Sequence, residues 1–261
     1  MALKERADKL VVDRGLAESR HQAQALIMAG LVYAGRERVK KPGQKISLVE
    51  RLSLKERFPY VSRGGLKLEE ALDAFGIQVK GKTAGDLGAS TGGFTDCLLQ
   101  RGAKCVYAVD VNTAQFDWRL SQDPRVILIE KNARYLSQAD FQDELDMITM
   151  DLAFISVLKV LPAICGLLGE GYLLSLLKPQ FEVGKKDIRK KGIVRDPALH
   201  EKVLWDIARG AAEQGFELKG LIKTSLRGQK GNREFFAWWR MGESFDSERV
   251  LRLVKEVVWD E

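Results

Sequence analysis

The sequence predicts a doubly wound α/β domain that follows a small basic α+β module. From residue 81 onward, apolar stretches typical of buried parallel strands alternate with segments long enough to form helices. With 261 residues, 45% of them hydrophobic and 30% charged, the chain is long enough for one large domain and a small one. The apolar stretches are seven in number: TAGDLGAS, AKCVYAVDV, RVILIE, LDMITMDL, GYLLSLLK, FELKGLIKTS and REFFAWWRM.

Helical patterns precede and interrupt these strands. GLKLEEALDAF (65–75) places its leucines on one helical face, and a further helical pattern covers residues 198–214. Residues 152–177 contain only two charges, and a segment of this length could span a bilayer. Because Pro162 and several glycines interrupt it, this segment predicts a helix, a turn and a buried strand rather than a membrane helix.

Cysteine usage and the N-terminal sequence predict a cytoplasmic location. The chain has three cysteines, Cys97, Cys105 and Cys165, with no CxxC spacing, and an odd number cannot all close into disulfides. The first residues, MALKERADKL, lack the apolar core of a signal peptide. We therefore expect a reduced, cytoplasmic protein with no membrane partner.

The N-terminal quarter carries all of the excess positive charge. Residues 1–60 contain 13 basic and 7 acidic side chains, whereas the rest of the chain contains 29 of each. Helical patterns at 5–14 and 19–29, the second with Ser19 as its expected N-cap, precede short strands joined by Gly and Pro turns. A compact basic unit of this kind is typical of a polyanion-binding module. We expect the domains to be residues 1–55 and 65–261, joined by a linker at 56–64.

The basic module resembles the RNA-binding domain named after ribosomal protein S-four. The matching motifs are Arg6-x-Asp8, Arg14-Gly15-Leu16, Ser19-Arg20-x-x-Ala23, Leu26-Ile27-x-x-Gly30-x-Val32 and Lys41-Pro42. Ala34 departs from the pattern, because that family usually has Asn before the turn glycine. The resemblance implies that exposed basic and polar residues of the module bind RNA: Arg6, Arg14, Ser19, Arg20, Arg36, Lys40 and Lys41.

A glycine-rich loop, residues 86–95, follows the first strand of the predicted sheet. Its glycines would let the backbone approach a ligand at the start of a helix. Asp110 ends the second strand and could accept hydrogen bonds from both ribose hydroxyls of a nucleoside, and Asn132 follows the third strand, where it could contact adenine. NAD(H) and S-adenosylmethionine both fit this pattern. The candidate cofactor-binding residues are Asp86, Gly88, Ala89, Ser90, Gly92, Gly93, Phe94, Asp110, Val111, Asn132 and Asp151.

Four charged residues lie beside apolar segments: Lys67, Asp151, Lys178 and Glu234. Asp151 and Lys178 end the fourth and fifth strands, so the topology of an open α/β sheet places both near the glycine-rich loop. Charged groups in apolar surroundings are costly unless they are paired, and we therefore expect the four to form a cluster. A lysine in its neutral form can take the proton of a ribose hydroxyl, which suits methyl transfer to that oxygen.

The loop sequence GASTGG resembles the first motif of class I methyltransferases, specifically the ribose 2′-O-methyltransferases of the FtsJ type. Four further motifs, together with the basic module, resemble the TlyA family of ribosomal-RNA cytidine 2′-O-methyltransferases, some of which carry the older name haemolysin. The resemblance extends from about residue 6 to about residue 240. The four motifs are S-R-G-G-L-K67, M-D151-L-A-F-I-S, L-K178-P-Q-F-E and G-N-R-E234-F-F.

This resemblance implies a class I, Rossmann-like fold with a mostly parallel seven-stranded sheet. It implies S-adenosylmethionine as the cofactor, ribosomal RNA or a ribosomal subunit as the partner, and no metal. It further implies that Lys178 is the general base, that Asp151 and Lys67 position it, and that Glu234 completes the hydrogen-bonded set.

Further RNA-binding candidates lie outside the basic module. The segment 185–195 has six basic residues and one acid, and would clamp phosphates near Lys178. Pro59 is expected to keep Tyr60 extended and exposed for stacking on a base. The aromatic residues of REFFAWWRM are expected in the core instead. The candidates are Tyr60, Arg63, Lys185, Lys186, Lys190 and Lys191.

Three other functions are open at this stage. A membrane-lytic protein, as the older family name suggests, would release the contents of liposomes, although the interrupted apolar segment opposes this. A ribosome-assembly RNA binder with a vestigial methyltransferase fold would fail to bind S-adenosylmethionine. A base methyltransferase would carry an Asn-Pro-Pro-Tyr-like or cysteine-centred motif after the fourth strand, where this sequence has Asp-Leu-Ala-Phe.

Replacing Lys185, Lys186, Lys190 and Lys191 together with Ala should weaken the salt dependence of RNA binding. Each neutralised phosphate contributes about −0.7 to −0.9 to the slope of log affinity against log salt concentration. Filter binding over a range of salt concentrations measures this slope. An unchanged slope would show that the segment makes no phosphate contacts.

Overall fold

The computed structural model describes residues 3–28, 30–54, 59–183, 193–228, 231–242 and 244–259. The chain divides into two units, Met1–Phe58 and Pro59–Glu261. The predicted basic segment around Lys185, Lys186, Lys190 and Lys191 lies outside the described residues.

The N-terminal unit packs two helices against short antiparallel strands. β1 pairs with β4, and β2 lies between β3 and β5. Both predicted helices are confirmed, although residues 5 and 6 belong to a strand, and the Ser19 hydroxyl accepts the Gln22 N–H as an N-cap (3.2 Å). The elements are β1 (Lys4–Arg6), α1 (Ala7–Asp13), α2 (Arg20–Met28), β2 (Val32–Ala34), β3 (Glu37–Arg38), β4 (Lys45–Ser47) and β5 (Leu52–Leu54).

Asp8 fixes the arginines of this unit. Its carboxylate is fully buried and accepts hydrogen bonds from Arg6 (2.9 and 3.0 Å), Arg20 (3.0 Å) and Gln24 (3.0 Å). The hydrogen bond from Arg6, more than any other contact, holds the pKa of Asp8 well below its usual range. Arg6 and Arg20 nevertheless keep 43% and 57% of their side chains exposed, so their guanidinium groups are oriented but accessible.

The remaining RNA-binding candidates of this unit are exposed. The guanidinium of Arg14 donates to the backbone oxygens of Leu48 (2.5 Å) and Glu50. Arg36, Lys40 and Lys41 lie on the surface, in or beside the turns that join the short strands.

The second unit is built on one seven-stranded sheet with the strand order β11-β12-β10-β9-β6-β7-β8. β12 is antiparallel to both neighbours and the other pairs are parallel, which confirms the predicted doubly wound, mostly parallel sheet. The strands are β6 (Thr83–Leu87), β7 (Cys105–Asp110), β8 (Val126–Glu130), β9 (Leu145–Met150), β10 (Leu168–Leu177), β11 (Phe216–Lys223) and β12 (Phe235–Met241).

Helices cover both faces of this sheet. On β9, Ile148 faces one buried cluster and Met147 faces another, as expected for a strand whose alternate side chains point to opposite faces. The first cluster includes residues of α6, α8 and α9, and the second includes residues of α3 and α4. The helices are α3 (Arg63–Ala74), α4 (Gly93–Gln100), α5 (Trp118–Ser121), α6 (Leu161–Cys165), α7 (Pro179–Glu182), α8 (Pro197–Ala212) and α9 (Ser247–Trp259).

Two elements differ from the sequence-based expectation. Between β8 and β9, where a helix was expected, the chain forms the short 3-10 turns Ala133–Tyr135 and Gln138–Asp140, the first of which is capped by Asn132. The C-terminal α9 was not predicted. The segment 152–177 folds as α6 and β10, as predicted, and within the described residues no helix is long and apolar enough to cross a membrane.

Replacing Asp8 with Ala should destabilise the N-terminal unit by about 1.5–3 kcal/mol, the usual contribution of hydrogen bonds to a charged group. Because the pKa of Asp8 is lowered on folding, its contribution is present above the unfolded value of about 4 and is lost as the pH falls. Denaturant unfolding of wild type and Asp8→Ala as a function of pH tests both points. Equal acid sensitivity of the two proteins would contradict this account.

Candidate active site

A cavity of about 1060 Å³ opens at the carboxyl ends of the parallel strands. A cavity of this size can enclose a ligand as large as a nucleoside with a long substituent. The strand ends supply the residues that the sequence singled out for a cofactor and for chemistry. The predicted residues that line it are Gly88, Ser90, Asp110, Val111, Asn132, Asp151 and Lys178.

The backbone around Asp110 is held for ligand contact. The Asp110 carboxylate accepts the N–H groups of Ser90 (2.8 Å) and Asn112 (3.0 Å), which fixes it at the cavity wall. Ser90 has a φ of +50°, a conformation that non-glycine residues rarely adopt and that is often found at functional sites. At Gly88, with a φ of +85°, a Cβ atom would lie 2.5 Å from the backbone oxygen of Asp151. Any side chain at residue 88 would therefore occupy the space beside the Asp151 backbone that the glycine leaves free.

Asp86 does not face the cavity, contrary to the prediction that it contacts the cofactor. It is fully buried and accepts hydrogen bonds from the hydroxyls of Thr95 (2.6 Å) and Thr149 (3.2 Å). Burial raises the pKa of Asp86 to about 7, and the threonine hydrogen bonds partly oppose this rise. Asp86, on β6, thus connects α4 through Thr95 and the neighbouring strand β9 through Thr149.

Four other residues predicted to bind the cofactor pack against neighbouring protein groups: Ala89, Gly92, Gly93 and Phe94. Ala89 contacts the ring of Phe116, and a Cβ atom on Gly92 would lie 2.9 Å from the same ring. A Cβ atom on Gly93 would overlap the hydroxyl of Ser62, and the ring of Phe94 packs against that of Phe236 (5.7 Å between centroids). Because glycines in a loop before a helix serve ligand approach and helix packing equally well, contact of these four residues with the cofactor stays a prediction.

The four charged residues that were expected to cluster form two ion pairs. Lys178 Nζ lies 2.5 Å from Asp151 Oδ1, and Lys67 Nζ lies 2.5 Å from Glu234 Oε2. The exposed fractions are 15% and 26% in the first pair, and 11% and 4% in the second. Pairing removes most of the cost of placing four charges among apolar strands and helices.

Strand register brings the two pairs to the same edge of the sheet. Leu177, the last residue of β10, pairs with Phe235, the first residue of antiparallel β12, so Lys178, just after β10, and Glu234, just before β12, lie at the same end of the sheet. Asp151 follows β9, the neighbour of β10 on the other side. Lys67 reaches this edge from α3.

The start of α3 is packed against the rest of the unit. Ser62 is the N-cap and accepts the Gly64 N–H (3.3 Å). Tyr60, expected to be exposed, is only 6% exposed, and its hydroxyl donates to Glu69 (2.7 Å). A Cβ atom on Gly65 would overlap the Tyr60 ring, and burial raises the pKa of this tyrosine. The prediction that Tyr60 is exposed for stacking on RNA is therefore wrong, because protein covers its ring.

Arg63 was predicted to contact RNA, and the aromatic residues of β12 were predicted to lie in the core. Arg63 is exposed and donates to the backbone oxygen of Arg227 (3.1 Å). Phe235, Phe236 and Trp239 are at most 1% exposed, which confirms that the aromatic residues of β12 belong mainly to the core.

Several residues of the site were not found by sequence reasoning. Phe154 is 90% exposed with a φ of +63°, and its ring lies 4.9 Å from that of Phe181. Glu182 lines the cavity beside Phe181. Gly228 leaves space for the Glu234 carboxylate, which a Cβ atom would overlap. The motif L-K178-P-Q-F-E held the signal for Phe181 and Glu182, but the sequence does not show that they touch the segment after Asp151.

Within the described ranges, no group of His, Cys, Asp and Glu side chains is arranged to hold a metal ion. His200 is buried, with its Nε2 at 3.2 Å from the Val194 backbone oxygen, and burial lowers its pKa.

The sheet order, the acid at the end of β7 and the glycine-lined cavity define a class I methyltransferase fold. Residues 60–241 match the family described as FtsJ-like methyltransferase, and residues 5–50 match the S4 domain. The chain belongs to the FtsJ-like methyltransferase family, within which it is a homologue of TlyA proteins, and S-adenosylmethionine is the cofactor of this class.

Individual relatives confirm the resemblance. The chain is 43% identical over 245 residues to the 16S/23S rRNA (cytidine-2′-O)-methyltransferase TlyA of Mycobacterium tuberculosis, covering 92% of this chain and 91% of that protein. It is 41% identical over 235 residues to Hemolysin A of Brachyspira hyodysenteriae, covering 89% and 98%. The structure of a Streptococcus thermophilus protein assigned as a hemolysin superposes with a TM-score of 0.75 at 43% identity, covering 98% and 96%.

Replacing Asp86 with Asn should make stability less sensitive to pH. Because burial raises the pKa of Asp86 to about 7, the folded protein holds a proton that the unfolded chain releases above about pH 4. The free energy of unfolding should therefore fall as the pH rises between these values, and Asp86→Asn should lack that fall. Denaturant unfolding of both proteins across this range provides the measurement, and parallel stability curves would disprove the assignment.

Proposed function

We propose that this protein transfers a methyl group from S-adenosylmethionine to the ribose 2′-hydroxyl of a cytidine in ribosomal RNA. The observation that carries the proposal is the Lys178–Asp151 ion pair at the wall of the cofactor cavity, with the Lys67–Glu234 pair at the same sheet edge. The name of the Mycobacterium tuberculosis relative supports the substrate and the 2′-oxygen as acceptor.

The cavity fits the cofactor through its backbone and one carboxylate. Asp110 would accept the ribose hydroxyls of the cofactor, because its carboxylate is already fixed by the Ser90 and Asn112 N–H groups. Gly88 would let the backbone approach the ligand, while Val111 and Asn132 would flank the adenine ring. When bound, S-adenosylmethionine supplies an electrophilic methyl group.

Lys178 would act as the general base. In its neutral form, Lys178 would take the proton of the ribose 2′-hydroxyl at its Nζ. The 2′-oxygen would then be the nucleophile that receives the methyl group. Asp151, 2.5 Å away, keeps this nitrogen at the cavity wall and stabilises the positive charge that forms on it. General-base assistance of this kind contributes about 10²–10⁴ in rate, and positioning of the reactants contributes much of the remainder.

The Lys67–Glu234 pair would position the neighbouring groups. The register of β10 and β12 places Glu234 next to Lys178, and the ion pair with Lys67 keeps the Glu234 carboxylate at the sheet edge. Lys67 in turn ties α3 to this edge. Gly228 allows this arrangement because it has no side chain where the carboxylate lies.

The N-terminal unit would bind the RNA. Asp8 holds the guanidinium groups of Arg6 and Arg20 in fixed, partly exposed positions, which lowers the entropy lost when they contact phosphates. Arg36, Lys40 and Lys41 add exposed positive charge to the same unit, and Arg63 adds one on the methyltransferase unit.

Lys178→Ala should reduce methyl transfer by at least about 100-fold, because it removes the base, while RNA and cofactor affinities change little. Transfer of labelled methyl groups to ribosomal RNA measures the rate, and calorimetry measures cofactor binding. Lys202→Ala, which removes a lysine that pairs with Asp206 on the surface of α8, is the matched control.

Full activity of Lys178→Ala would remove this lysine from the mechanism. Mass spectrometry of ribosomal RNA from cells with and without the protein should locate the missing methyl group. A methyl group lost from a base rather than from a ribose would contradict the proposed reaction.

A further inference from the structure

We propose that Glu182 is a positioning residue that holds Lys178 against Asp151 by joining the two chain segments that follow them. The inference rests on the proposed function, since it concerns the same ion pair. Glu182 itself is not expected to touch the reacting atoms.

Both members of the ion pair lie at the carboxyl ends of their strands. β9 ends at Met150 and β10 ends at Leu177, so Asp151 and Lys178 each begin a segment that leaves the ladder. The segment after Asp151 runs to the 3-10 turn Val157–Lys159, and the segment after Lys178 is α7, which ends at Glu182. The Asp151 N–H still donates to the Leu87 oxygen of β6 (2.9 Å), so the contacts between the two segments act together with the sheet in setting the separation of the two charged groups.

The Glu182 carboxylate makes that connection. Its Oε1 accepts the backbone N–H of Val157 (2.9 Å), and the hydroxyl of Ser156 also hydrogen bonds to the carboxylate. Ser156 is the N-cap of the 3-10 turn and accepts the Leu158 N–H (3.3 Å). The carboxylate thus satisfies donors at the start of a helical turn, where N–H groups have no partner within the turn.

Partial burial of the Glu182 carboxylate has a free-energy cost. Burial raises the pKa of Glu182, and the hydrogen bonds from Ser156 and Val157 oppose that rise. Val157 is 5% exposed, so water is a poor substitute for the acceptor that Glu182 provides. The Glu182 side chain is partly buried beside the cavity, and its carboxylate supplies the acceptor for the Val157 N–H.

One further contact of α7 joins the same two segments, and another lies within the segment that Lys178 begins. The Phe181 ring lies 6.0 Å from Lys178 Nζ and 4.9 Å from the ring of Phe154, which belongs to the segment after Asp151. Loss of the Glu182 bridge would let these groups shift together, and a shift of about 1 Å in a catalytic geometry can reduce the rate about 100-fold.

The test compares Glu182→Ala with Glu182→Gln, whose amide oxygen can still accept the Val157 N–H. We expect Glu182→Ala to lower kcat for methyl transfer by about tenfold to 100-fold, with little change in RNA affinity, and Glu182→Gln to keep most of the rate. The matched control is Asp146→Ala, which removes a carboxylate that accepts the Thr83 N–H (2.8 Å) at the other edge of the sheet. This control should leave kcat unchanged.

Three outcomes would overturn the inference: wild-type kcat in Glu182→Ala, equal loss in Glu182→Ala and Glu182→Gln, or equal loss in Asp146→Ala. If Glu182→Ala does not fold, Glu182→Asp replaces it, because its shorter side chain cannot reach Val157; a wild-type kcat in this variant would equally overturn the inference. Lys178→Ala is measured alongside. An active Lys178→Ala would refute the proposed function, whereas an inactive Lys178→Ala with a fully active Glu182→Ala would refute this inference alone.

Discussion

The ion pair between Lys178 and Asp151 is the constraint on which the rest of the site depends. Two opposite charges at the ends of adjacent buried strands can remain there only if they neutralise each other, and this fixes both side chains beside the cofactor cavity. The second pair, between Lys67 and Glu234, follows the same rule and ties a helix to the same edge. Charge compensation and the placement of a base next to a methyl donor are thus achieved by the same contacts.

The sheet and its active edge could be predicted because their signals are local or topological. Buried parallel strands are almost continuously apolar, and β6, β7 and β9 lie within the stretches that the sequence marked, whereas β10 begins before its stretch, at Leu168. Once the strands are known, the rule that ligands bind at their carboxyl ends brings Asp110, Asp151 and Lys178 together without any knowledge of side-chain contacts. The family resemblance predicted the reaction, and the pattern of apolar strands predicted where in the fold the site lies.

The parts that could not be predicted depend on tertiary contacts. Pro59 suggested an extended, exposed Tyr60, but the absence of a side chain at Gly65 lets the ring pack flat against α3. Gly93 was assigned to a ligand, yet its lack of a Cβ atom serves the Ser62 hydroxyl. Glu182 lies in the motif L-K178-P-Q-F-E, but only the folded chain shows that it meets the turn at Val157.

The place of β12 in the sheet also sets the order in which the site is completed. β12 is made after β11 and lies between β11 and β10, so the sheet is complete only when β12 has paired with both neighbours. Glu234 arrives with that strand, 167 residues after the lysine that it pairs with. A nascent chain in which β12 has not yet joined the sheet therefore lacks the partner of Lys67. Its active site at the carboxyl ends of the parallel strands is then incomplete. Assembly of the complete site therefore requires the chain as far as β12.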